Sequence, residues 1–274
     1  MTIDRKAQPF LPLRTNVDGV FSIVIDEQLC VGPTGNAFMF GGVGLGAAIR
    51  AAEQATQREL VWASAQFLSY ARPEDRLDLA VELLNSGRNV SQMRIHGSVA
   101  DQPVLTVNAA LGARDGLPED QWAHPSEMPP PDQCEQQPLW PAQDRRARFM
   151  DCLDVRLAPA TGRRGERSPD GRRSMWIRLK DDSPVDAAVL AAFADFVPSG
   201  LAAAFGRPGG GNSLDNSLRI CRIVPTHWVQ CELRISAAAR GFGHGAIYMF
   251  AEDGTLMASG SQSVILRFSS PEGG

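Results

Sequence analysis

Along the chain the apolar residues change period, and the change divides the sequence into two similar halves. From Gly41 to Arg58, and again from Val185 to Phe205, Ala, Leu and Val recur at helical spacing. A run of strand-like segments follows each helix. In the first half these are Leu60–Tyr70, Leu77–Ser86, Val90–Ala100 and Val104–Ala113. In the second they are Ser213–Ile223, Trp228–Ala238, Gly241–Ala251 and Leu256–Phe268. Turn-forming residues separate them, as at Arg72-Pro73-Glu74-Asp75, Asn85-Ser86-Gly87, Asp101-Gln102-Pro103 and Glu252-Asp253-Gly254. Consecutive strands predict an antiparallel sheet, and the single helix of each half is expected to lie across it. The fold class is therefore α+β, without alternating βαβ units.

The halves also align residue by residue. SGRNVSQMRIHGSVADQPVLTVNAA, from Ser86, registers without a gap on AARGFGHGAIYMFAEDGTLMASGSQ, from Ala238. Arg88 meets Arg240, Asp101 meets Asp253 and Val104 meets Leu256, each pair 152 residues apart. The same offset relates Pro73 to Pro225. A fixed offset of this kind marks a duplicated supersecondary unit. Between the copies, Gly112–Arg148 is polar and rich in proline (HPSEMPPPDQCEQQPLWP) and reads as a linker, with Trp122 and Trp140 expected to pin it to the surface. Thr161–Ser174, TGRRGERSPDGRRS, reads as a charged hairpin loop between Phe149–Pro159 and Ser174–Leu179. The expected division is a first unit over 1–115, a linker over 116–147 and a second unit over 148–274.

Composition narrows the functional classes. At 43% hydrophobic and 21% charged, with 274 residues, the chain can bury a core of normal size. A net charge of −4 gives no electrostatic case for nucleic acid. The five cysteines lack CxxC spacing, which predicts reduced thiols in a cytoplasmic protein and no metal site. The N-terminal MTIDRKAQPF has no apolar signal segment. The apolar run AAVLAAFADFVPSGLAAAF (Ala187–Phe205) nearly has the length of a membrane span. It contains Asp195 and a Pro198-Ser199-Gly200 break, so a buried helix is expected and membrane insertion is not.

One short stretch raises a chemical question. FGGVGLGA (Phe40–Ala47) fits the glycine pattern of a dinucleotide-binding turn. That reading needs a parallel strand after the helix, ending in an acid, and Leu60–Tyr70 supplies none. Glycines have another use here. They let a helix start approach a sheet or ligand closely and leave its free N–H groups available. The N–H groups of Gly41, Gly42, Val43 and Gly44 are thus candidate donors to a developing oxyanion.

One helix over an antiparallel sheet, duplicated in one chain, resembles the double hotdog of acyl-CoA thioesterase II (TesB-like) enzymes. The resemblance is carried by AAFADFVPSG (Ala191–Gly200), SLDNSLRI (Ser213–Ile220) and the run from His227 to Phe268. In the first copy Phe40-Gly41-Gly42 and the Asn85–Arg88 turn also fit. It implies hydrolysis of acyl-CoA thioesters without a cofactor, and association into a homo-oligomer. It places an acid, a hydroxyl and an amide on Asp195, Ser213 and Gln262. The family often has Gln where this chain has Val43, and His on the strand here reading Trp62–Phe67, which implies a different channel shape. At the 152-residue offset the three polar positions become Val43, Val61 and Ala110, so the first copy is expected to lack a working site.

The chemistry suits these residue types. A carboxylate on an apolar helix needs hydrogen-bond partners, and a hydroxyl and an amide can both donate to it. Three polar groups around one water make a directed nucleophile. Other readings stay open: Asp195 as an ion-paired helix residue, Ser213 as a strand-end hydroxyl or cap, and Gln262 as a surface residue of SGSQS. His227 and His244 stand at no triad spacing and read as structural or surface groups. Asp215-Asn216 is a second polar pair at the same strand start, where a turn role serves equally well. Enoyl-CoA hydration, non-catalytic acyl-CoA or lipid binding, and a dinucleotide oxidoreductase are the competing functions.

Overall fold

Strands form where polar and apolar residues alternate, and alternation is strict in the middle of each half. A computed structural model describes residues 10–16, 19–33, 35–136, 148–157 and 167–268. In chain order it contains β1 (Arg14–Thr15), β2 (Phe21–Val24), β3 (Cys30–Val31), β4 (Phe38–Met39) and helix α1 (Gly41–Thr56). Then come β5 (Leu60–Phe67), β6 (Arg76–Ser86), β7 (Val90–Val99), β8 (Gln102–Gly112) and the short β9 (Glu135–Gln136). The second half holds β10 (Leu153–Leu157), β11 (Arg172–Leu179), α2 (Ala187–Ala194) and α3 (Val197–Phe205). It ends with β12 (Gly209–Ser213), β13 (Asp215–Ile220), β14 (Val229–Ala239), β15 (Phe242–Ala251) and β16 (Leu256–Phe268).

One antiparallel sheet runs through both halves, in the order β1-β2-β6-β7-β8-β5-β13-β16-β15-β14-β11-β10-β9, with β12 also paired to β16. The order is symmetrical about the β5–β13 seam. There Ser64 stands opposite Ser217, with Gln66 opposite Asp215 on one side and Trp62 opposite Arg219 on the other. β7 and β15 begin and end at the same 152-residue offset seen in the sequence. In β7, Ser91, Met93, Ile95 and Gly97 are buried while Gln92, Arg94 and His96 are exposed, so one face of the sheet is covered and the other is wet. This is the double-hotdog arrangement that the resemblance implies.

The covering layer is helical, and its tightest contact is between α1 and α2. These helices run antiparallel with almost no side chain between them. A Cβ on Gly42 would lie 2.7 Å from the Ala191 carbonyl oxygen and 2.7 Å from the Ala192 Cα. One on Gly46 would lie 2.8 Å from the Ala188 carbonyl oxygen. The glycines of FGGVGLGA therefore serve close helix–helix approach. Both ends of the contact are also tied. Asp186 caps α2 by accepting from the Ala188 and Val189 N–H groups, and it pairs with Arg50 of α1 at 2.6 Å.

The expected single helix over Val185–Phe205 is instead two, with the break at Asp195. Pro198 is the cause. It has no N–H to give the Ala194 carbonyl, and its ring crowds that same carbonyl, so the helix cannot continue through residue 195. Asp195 itself leaves helical geometry at φ −83°, ψ 28°. All eight residues of α2 are buried. Although Ala187–Phe205 has a mean hydropathy of 1.7, most of it is buried, against α1 and the sheet, and Phe205 at its end is exposed.

The linker is held differently from expectation. Trp122 is 85% exposed and pins nothing, and Trp140 lies outside the described residues. Gln121 does the work that was assigned to Trp122. Its side chain donates to the Ala123 and Gly254 carbonyls and accepts from the Leu256 N–H. Further on, Gln230 donates to the Ser126 carbonyl and the Trp176 indole donates to that of Pro129. The linker also adds an edge strand, β9, to β10.

Gly42→Ala tests the helix contact. Overpacking of this kind costs about 1–3 kcal/mol. Thermal unfolding followed by circular dichroism should show a midpoint lower by roughly 2–4 °C per kcal/mol. An unchanged midpoint would mean that the helices have room between them.

Candidate functional site

Because the chain breaks at Asp195, its side chain leaves the helical stack and turns toward the start of α1. Oδ2 accepts a hydrogen bond of 2.7 Å from the Gly42 N–H. Oδ1 accepts from Ser213 Oγ at 2.7 Å and from Gln262 Nε2. Gln262 Nε2 also donates to Ser213 Oγ at 2.9 Å. Three residues far apart in sequence thus meet in one closed set of bonds. α2 ends on the acid, β12 ends on the hydroxyl, and β16 carries the amide on its helix-facing side. Gly42, from the first repeat, completes the set by using a helix N-terminal N–H that has no intrahelical acceptor.

The surroundings are apolar. Phe40 and Phe196 flank the site in sequence; Phe40 stacks on Phe149 at 5.0 Å and meets Phe196 edge-on at 6.2 Å. Asp195 is 4% exposed and Gln262 is 3% exposed, whereas Ser213 is half-buried and marks the side open to solvent. Burial pushes the Asp195 carboxyl up from its ordinary 3.8 to about 6, against the opposing pull of the bonds from Ser213, Gln262 and Gly42. An acid in this state is ionised at neutral pH yet basic enough to take a proton. Gln262 Oε1 is buried and has no hydrogen-bond partner among the described residues. It is an acceptor left over beside a carboxylate whose Oδ2 still has one lone pair to offer.

The predicted oxyanion donors fare unequally. Gly42 gives its N–H to Asp195, while Val43 and Gly44 give theirs to the Phe40 carbonyl at 3.0 and 3.2 Å. Those three are corrected: their donors are taken up within the fold. The Gly41 N–H has no acceptor among the described residues, and a Cβ on Gly41 would stand 2.8 Å from Asp195 Oδ2. In the first repeat the offset positions Val43 and Ala110 are buried and Val61 is 40% exposed, so these three form no polar cluster. His244 lies on the opposite, exposed face of the sheet, with Nδ1 3.2 Å from Ser263 Oγ.

Comparison with known proteins places the fold and the site in context. Residues 31–112 match the family model described as the acyl-CoA thioesterase N-terminal domain, and residues 125–266 match that of the acyl-CoA thioesterase C-terminal domain. The chain belongs to the acyl-CoA thioesterase family. It is a thioesterase, acting on acyl-CoA thioesters. A crystal structure from Novosphingobium aromaticivorans that carries a thioesterase name is 39% identical, with a TM-score of 0.86, covering 94% of this chain and 99% of that one. The fold is shared with a hot dog protein from Alicyclobacillus acidocaldarius at 18% identity and a TM-score of 0.82, covering 95% and 96% of the two chains. It is also shared with the acyl-CoA thioesterase II TesB2 from Mycobacterium marinum at 17% identity and a TM-score of 0.73, covering 94% and 97%. No curated protein matches the sequence.

Two features of this candidate site are not legible in the sequence. One is the use of Gly42 as the partner of Asp195, since a glycine pattern does not say which acceptor its N–H will meet. The other is the aromatic cluster, whose members Phe40, Phe149 and Phe196 lie in separate segments.

The raised carboxyl has a thermodynamic signature. A group raised on folding adds stability below its unfolded value, and that stability is lost as pH rises through the folded value of about 6. The difference is roughly 3 kcal/mol. Asp195→Asn removes this titration and can keep the site bonded: its oxygen accepts from Gly42, and its NH₂ donates to Ser213 and to a flipped Gln262. Denaturant unfolding should therefore show the wild type losing ground to Asp195→Asn between pH 4 and pH 8, by up to roughly 3 kcal/mol. A difference that is flat with pH would mean that Asp195 titrates normally.

Proposed function

We propose that Asp195, Ser213 and Gln262 hold and activate the water that hydrolyses the thioester. The water gives one proton toward Asp195 Oδ2 and the other to Gln262 Oε1, leaving a lone pair for the thioester carbon. Its oxygen adds to that carbon as Asp195 takes a proton. The tetrahedral species then collapses, the carbon–sulfur bond breaks, and Asp195 returns the proton to the departing CoA sulfur. The products are the free acid and CoA, and the carboxylate is restored. Ser213 does not attack. Its O–H is already donated to Asp195 Oδ1, and its oxygen accepts from Gln262, so its part is to fix the carboxylate. The observation that carries this reading is that Gln262 donates through Nε2 to both Asp195 and Ser213 while its buried Oε1 has no partner among the described residues. The five cysteines, all unpaired, fit a reducing cytoplasm.

Purified protein, a panel of acyl-CoAs and a thiol reagent test the proposal. Asp195→Ala should lower kcat by about 10²–10⁴, the span of general-base assistance. Ser213→Ala and Gln262→Ala should each lower kcat by a smaller factor, with KM little changed. The wild-type rate should rise with pH through a midpoint near 6 and then level off, because only the ionised carboxylate takes a proton. Full turnover by Asp195→Ala would end the residue assignment.

A further inference from the structure

Asn216 is the most conspicuous polar residue that the water-activating set leaves unused. It is 0% exposed, and neither its Nδ2 nor its Oδ1 has a hydrogen-bond partner among the described residues. Its direction follows from register. Ser217 on β13 pairs with Ser261 on β16, and the two hydroxyls meet at 2.8 Å on the outer face. Asn216 and Leu218 therefore turn toward the helices. On one side Asn216 faces Ala65 of β5. On the other, the register continued one step beyond the Ser217–Ser261 pair puts it level with Gln262, just before the one-residue slip to the Ser213–Val264 pair. Cross-strand neighbours have Cβ atoms about 4.5–5.5 Å apart. Two buried amides thus come close together beneath the helices, and three of their polar atoms have no partner among the described residues.

Burying an unpaired amide atom costs about 1–3 kcal/mol, so a fold rarely keeps such a group unless a bound water, a ligand or a catalytic role accounts for it. A second observation says what is missing. Thioester addition builds negative charge on the carbonyl oxygen, which needs a donor. The N–H groups of Gly42, Val43 and Gly44 are already given to Asp195 and Phe40. Resting on the hydrolytic reading above, we propose that Asn216 Nδ2 donates to the thioester carbonyl oxygen and holds the oxyanion, alongside the Gly41 N–H. In this arrangement Gln262 Oε1 and Asp195 face the water, Asn216 faces the oxygen, and the reacting carbon lies between them. Asn216 is then a catalytic residue, bonded to the substrate and more strongly to the transition state.

The test compares wild type, Asp195→Asn, Asn216→Ala and Asn216→Leu in steady-state acyl-CoA hydrolysis, with thermal unfolding of each. Both Asn216 variants should lose about 10²–10³ in kcat, the usual effect of removing an oxyanion donor. KM should change little, and the pH midpoint should match that of the wild type. Asn216→Leu should melt at or above the wild type, since it replaces two unpaired polar atoms by an apolar side chain of similar size. A folded Asn216 variant within threefold of wild-type kcat overturns the proposal. So does a loss accompanied by a shifted pH midpoint, which would make Asn216 a support for Asp195. If both variants fail to fold, Asn216 is structural and the proposal also falls. The hydrolytic reading fails separately, if wild type releases no thiol or if Asp195→Asn remains fully active.

Discussion

A carboxylate inside an apolar fold must be surrounded by donors, and here that requirement fixes the relation between the two repeats. Asp195 cannot reach the Gly42 N–H unless α1 and α2 approach backbone to backbone. That approach exists only because residues 42 and 46 have no side chain and the facing residues of α2 are alanines. The pairing also needs the helix to stop at Asp195, which Pro198 enforces. Remove any of these and the acid loses a bond it cannot replace with water. The result is a helix N-terminus capped by a side chain 153 positions away in sequence, an electrostatically sound use of the positive end of α1.

Much of the architecture was legible because period-two alternation is a local signal. β16 occupies the predicted Leu256–Phe268, and β7, β14 and β15 fall within a residue or so of expectation. The repeat added topology, since equivalent strands must hold equivalent places in a symmetrical sheet. The interruption at Pro198-Ser199-Gly200 was visible too, but its consequence was not placed correctly. Proline acts on the carbonyl four residues earlier, so the helix ends at Asp195, three residues before the proline itself. A break read at the wrong residue hides why the acid points out of the helix.

The candidate site divides in the same way. Asp195, Ser213 and Gln262 were named from residue type and resemblance, and they converge. The glycine N–H groups were named as free donors, and most are not. Sequence shows that a helix start has unpaired donors, but which acceptor arrives depends on a segment folded against it from elsewhere. Asn216 was visible as half of a polar pair with Asp215. Strand alternation then separates the two: Asp215 accepts from the Ser263 N–H, while Asn216 is sealed beneath the helices.

The same geometry changes the meaning of the first repeat. Its offset positions are Val43, Val61 and Ala110, which cannot do acid–base chemistry, and on sequence alone it looks like a copy kept for packing. Yet the site of the second repeat is incomplete without it. The Gly42 N–H holds Asp195 in place, Gly41 borders the same oxygen, and Ala65 of β5 walls the row that contains Asn216 and Gln262. A duplicated fold with one polar site can therefore evolve its two halves under different demands. One half carries the acid, the hydroxyl and the amide, and the other supplies a helix end and a small-residue surface close enough to position them. The asymmetry is stable because the acid needs the helix start, whereas that helix start needs only one acid.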